Sequence, residues 1–105
     1  MEGANGFSDR VYIVTLRIIQ PARVQDVYNS LGKIFGDEIY GKISELEIYQ
    51  SHKQMKKTDL IISVRKGTYC LDNRAWIYAR SLLKFYKLDN RRFFLMKAER
   101  KRYNR

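Results

Sequence analysis

Apolar residues recur along this chain with two different periods, and the switch between them falls near its middle. Between Val24 and Leu31, the positions Val24, Val27, Tyr28 and Leu31 follow the i, i+3, i+4, i+7 spacing of one helical face. Pro21 precedes the run and fits the first position of a helix, where its missing N–H is no loss, so this helix is expected to begin at Pro21. Gly32 and Gly36 bracket its end, with Asp37 to Lys42 a loop or a short strand. Ser44 followed three residues later by Glu47 is a capping-box pair, each side chain satisfying a free backbone N–H of the other's first turn. The helix it opens, residues 44–58, divides into two faces. Ile48, His52 and Met55 lie on one side, and Gln50, Lys53, Gln54 and Lys57 lie on the other. Leu46 fits neither face and is expected to pack at the helix entry.

From Leu60 the period drops to two. Leu60, Ile62 and Val64 alternate with Ile61, Ser63 and Arg65, then Lys66 and Gly67 turn the chain before Thr68, Tyr69, Cys70 and Leu71. Glycine at the turn supplies the positive φ that a tight hairpin needs. Asp72 or Asn73 then caps a helix with Trp76, Ala79, Leu83 and Tyr86 along one stripe, and a last helix is expected from Asn90, carrying Phe93, Phe94, Lys97, Arg100, Lys101 and Arg102. The first segment is ambiguous. Ser8 with Asp9 caps a helix that runs to Ile19 and stops at Gln20 and Pro21, yet VYIVTLRII is rich in the β-branched residues that favour a strand.

Two fold classes follow. With a helical first segment the chain is mainly α with a small β hairpin. With a strand there, EIYGKISELEIYQ, LIISVRKG and RRFFLMKA supply three more strands, and the order becomes an α+β ferredoxin-like sheet, suited to binding RNA or to protein contact. That alternative leaves the capping pair at Ser44 and the two-faced helix behind it without a purpose.

At 105 residues the chain has room for a single core, and 45% hydrophobic residues with 13% aromatics are enough to fill one. Its apolar runs are too short to cross a bilayer, and its first ten residues do not form a secretory signal, so an intracellular protein is expected, with residues 1–7 a flexible leader. A lone cysteine, Cys70, and a lone histidine, His52, give neither a disulfide nor a metal set, and are expected to be a small buried apolar residue and a core or boundary histidine. With no phosphate loop and no nucleophile–base arrangement at a recognisable spacing, no enzyme activity and no cofactor are expected.

Charge changes the picture more than composition does. The 21 Lys and Arg outnumber the 11 Asp and Glu, for a net +10. Residues 1–52 hold five basic and seven acidic residues, net −2, and residues 53–105 hold sixteen and four, net +12. A field of that size attracts polyanions, nucleic acid foremost.

Helix, proline-led helix, capped helix and hairpin is the order of the winged helix-turn-helix superfamily, and the residues resemble it over Ser8 to Leu71. IIQPARVQDVY looks like the entry to that family's second helix, and MKKTDLIISVRKGTYCL like its third-helix exit and wing. Met55, Asp59, Leu60, Ile61, Lys66, Gly67 and Tyr69 occupy the family's characteristic places, with Asp59 where a glycine is usual, which implies a left-handed aspartate at the helix exit. Small transcription regulators and the winged domains of modification-dependent restriction enzymes carry such modules. The resemblance implies a regulator or recognition module for double-stranded DNA, with helix 44–58 in the major groove and the 60–71 hairpin on the backbone. Tyr49, Gln50, Lys53, Gln54, Lys56 and Lys57 then contact DNA from the helix, Arg65 and Lys66 from the wing, and Arg100, Lys101 and Arg102 from the tail. The aromatic C-terminal helices of residues 73–105 are expected to pack on the same domain or to form a homodimer interface. The plain alternatives are a solvated face for the lysines, protection of an edge strand for Arg65 and Lys66, and a fraying solubilising end for the tail.

Overall fold

The computed structural model describes residues 3, 4 and 6–85. They are mainly helical with one small antiparallel sheet, in the order α1 (Phe7–Ile19), α2 (Val24–Phe35), α3 (Asp37–Tyr40), α4 (Glu45–Lys57), β1 (Ile61–Arg65), β2 (Thr68–Leu71) and α5 (Asn73–Phe85). The ambiguous first segment is α1. Tertiary burial overrides its β-branched composition: Val11, Tyr12, Ile13, Val14, Leu16, Ile18 and Ile19 are all buried, which makes α1 the central rod of the core. With residues 45–57 helical as well, the ferredoxin-like alternative does not form.

Around α1 the other elements bury one stripe each. Helix α2 contributes Val27, Leu31 and Ile34, α4 contributes Ile48 and Met55, and α5 contributes Ala75, Ala79 and Leu82. The stripe expected on α5 is therefore rotated: Ala75 replaces Trp76, whose ring is instead covered by Arg17 of α1 at 4.0 Å, while Arg17 Nη1 donates to the Trp76 carbonyl at 2.6 Å. Tyr86, the expected helix from Asn90, its Phe93, Phe94 and Lys97, and the tail cations Arg100, Lys101 and Arg102 lie outside the described residues.

Two helix starts and one connecting segment differ from expectation. Helix α1 starts at Phe7, with Asp9 accepting the Gly6 N–H at 3.1 Å, rather than being capped from Ser8. The leader expected over residues 1–7 is thus partly structural, since Ala4 is also fully buried. Helix α2 starts at Val24 and not at Pro21, because Ala22 spends both backbone groups on Tyr69 of β2, at 3.0 and 2.9 Å, and so sits in an extended pairing that a helical turn excludes. Residues 37–40 form a single helical turn, α3, in place of a loop or strand.

The hairpin pairs Ile61 with Leu71, Ile62 with Cys70 and Ser63 with Tyr69, and the register slips between Ser63 and Arg65, a bulge at Val64. Gly67 takes the expected positive φ of 76° in the turn beside Lys66. Arg65 and Lys66 are exposed at its tip.

Candidate nucleic-acid interface

Helix α4 is fixed at both ends and along one side, which decides where its other side points. At its start the Ser44 Oγ accepts from the Glu47 N–H and the Glu47 carboxylate accepts from the Ser44 N–H, both at 3.1 Å, completing the capping pair. At its end Leu60 N–H donates to the Met55 carbonyl at 2.9 Å and Asp59 N–H to the Lys56 carbonyl at 3.3 Å. This double closure needs a left-handed residue between, and Asp59 supplies it with φ 58°. Arg74 of α5 then ties the exit down. Its guanidinium donates to the Asp59 carbonyl at 3.1 Å and to the Asp72 carboxylate at 3.0 Å.

Along its inner side α4 meets α1 through two polar contacts one residue apart. Ser51 Oγ lies 2.9 Å from Ser8 Oγ, and His52 Nδ1 lies 2.7 Å from the Tyr12 hydroxyl. His52 is buried and stands edge-on to the Tyr69 ring at 4.7 Å, so it is a core histidine, as expected. Burial, then the nearby Lys56 ammonium, push its pKa below the ordinary imidazole value, and burial pushes the Tyr12 hydroxyl well above its own, so the pair is neutral, with Tyr12 able to donate. The groups facing His52 are Tyr12 from α1, Tyr69 from β2 and Lys56 from its own helix.

A pH dependence of stability follows. Because the folded pKa is lowered, the unfolded chain binds the extra proton first, near the ordinary value of about 6.5. Stability is then constant above that pH and falls as pH drops toward the lowered folded value. Melting temperature should decline between pH 7 and pH 5 in the wild type and decline less in His52→Gln; equal melting temperatures at the two pH values would contradict a buried neutral His52.

With the inner side so held, Gln50, Lys53, Gln54 and Lys57 all stand exposed on the opposite face, as the spacing predicts. Lys56 leans back toward the hairpin, its ammonium 5.5 Å from the Tyr69 ring, and so lies beside that face rather than on it. Tyr49 is anchored instead of free: its hydroxyl donates to Gln25 Oε1 of α2 at 3.1 Å, and Gln25 Nε2 donates in turn to Asn29 at 3.1 Å. Arg65 and Lys66 are exposed at the hairpin tip, and the hairpin follows α4 directly through Leu60, which is buried.

Two participants escaped the sequence reading. Leu46, expected to pack at the helix entry, is 66% exposed. It shares a line with the polar face, because 46, 50, 53 and 57 follow i, i+4, i+7, i+11, a spacing that was visible in the sequence but was masked by its apolar side chain. Gln25, the partner of Tyr49, lies in a different helix and carried no local signal. The half-buried Cys70 has its thiol pKa raised by burial, in keeping with a packing role. No described helix is long and apolar enough to cross a membrane. Comparison with protein-family models, curated proteins and solved structures gives no match.

Proposed function

We propose that the protein is a double-stranded DNA-binding module of winged helix-turn-helix type, a small regulator or the recognition part of a larger assembly, with α4 in the major groove and the β1–β2 hairpin on the neighbouring backbone. The observation that carries this reading is the exposed face Gln50, Lys53, Gln54 and Lys57 on a helix fixed by its other side, followed at once by a cationic hairpin tip. Amide side chains make paired contacts with adenine and ammonium groups contact guanine, whereas Arg65 and Lys66 meet phosphates and add affinity without sequence preference. A rigid helix matters here, because a base contact discriminates only if its geometry is set before binding. Pairing of two copies belongs to the same proposal: it would set two α4 helices on successive half-sites, and the exposed Ile77 of α5, with the part of Trp76 that Arg17 leaves open, offers apolar surface for it.

Titration of a duplex library at two salt concentrations tests the reading. Bulk attraction of a +10 chain weakens steeply with salt and treats all sequences alike, so the expected result is a subset of duplexes that stays preferred at the higher salt. Equal affinity for every duplex, changing only with salt, would reduce the protein to a polycation and overturn the proposal.

A further inference from the structure

Resting on that reading, we infer that Leu46 reads the C5-methyl group of a thymine, so that the recognised site carries a T at the end of the contact facing the start of α4. Leu46, Gln50, Lys53 and Lys57 form a single ridge along the outermost line of α4, spanning about 16 Å at roughly 1.5 Å per residue. A straight partner that touches Gln50 and Lys53 therefore meets Leu46 too. Among the described residues the leucine stands out by its exposure, 66%, where the other two non-aromatic apolar residues of α4, Ile48 and Met55, are fully buried. Beside it stand Glu45 and Glu47, whose carboxylates repel phosphate, so this end of the ridge is suited to the floor of a groove and not to the backbone. On the floor of the major groove the one apolar feature among the base edges is the thymine methyl. Leu46 lies about 6 Å along the axis from Gln50, close to two base-pair steps at roughly 3.4 Å each, which sets the thymine about two pairs from the base that Gln50 contacts.

Deoxyuridine, which is thymidine without the methyl, isolates the contact. Using the preferred duplex from the library, each T is replaced in turn by dU and affinity is measured for the wild type and for Leu46→Ala, whose exposed position leaves folding intact, as circular dichroism would verify. One position should lose about fourfold with the wild type, the affinity equivalent of one buried methyl, and lose nothing with Leu46→Ala. No effect at any T, or an effect that persists in Leu46→Ala, overturns the assignment while the DNA-binding reading stands. If no duplex is preferred over random sequence in the first place, both fall together, and the exposed ridge with its leucine is then a protein-contact surface.

Discussion

Replacing Lys53, Lys57, Arg65 and Lys66 together by glutamine should weaken binding of the preferred duplex about a thousandfold near 0.1 M salt: Arg65 and Lys66, which meet phosphates, account for roughly 60-fold through a slope of about 0.9 each, and the guanine contacts of Lys53 and Lys57 for the rest. The slope itself should flatten by about two. All four side chains are exposed, so the folded state loses little: surface changes of this kind stay within about 0.5 kcal/mol each. The proof lies in the pairing of results. A large loss of affinity with an unchanged melting temperature identifies these cations as the contact surface, whereas a loss below about tenfold would place the binding elsewhere on the chain.

Ile48→Ala should do the reverse. Ile48 is fully buried on the inner side of α4, and truncating a buried isoleucine removes transfer energy and leaves a cavity, about 2–5 kcal/mol in all. For a domain of this size that is a large share of the total stability, about 5–15 kcal/mol, and lowers the melting temperature by roughly 10–20 °C. Measured well below that melting temperature, affinity for DNA should stay near the wild-type value. Two substitutions on opposite sides of one helix would then separate packing from contact, and an Ile48→Ala protein as stable as the wild type would contradict the docking of α4 described above.

Much of α4 and the hairpin was legible in the sequence because the signals there are local. Ser44 and Glu47 are three residues apart, the two faces of α4 follow from its period, and Gly67 marks its own turn. The left-handed Asp59 was expected from the family resemblance alone, in which a glycine usually holds that place. What could not be read was set by distant partners. Ala22 is extended because Tyr69 takes both its backbone groups, so the proline-led start of α2 moved to Val24. The register of α5 depends on Arg17 reaching Trp76 from another helix, and the exit of α4 on Arg74 reaching back to Asp59. The helical state of VYIVTLRII likewise rests on burial from every side, which outweighs β-branched propensity. Leu46 was misplaced for a different reason: an apolar residue was assumed to pack.

Base reading by α4 is tested most directly by measuring Gln50→Ala/Gln54→Ala against the wild type on the preferred duplex and on a scrambled duplex of the same length and composition. If those amides read bases, the double variant keeps its affinity for the scrambled duplex within about twofold and loses roughly 30-fold or more on the preferred one, at about 1–3 kcal/mol for each of the two paired contacts. An undiminished preference in the double variant would contradict it.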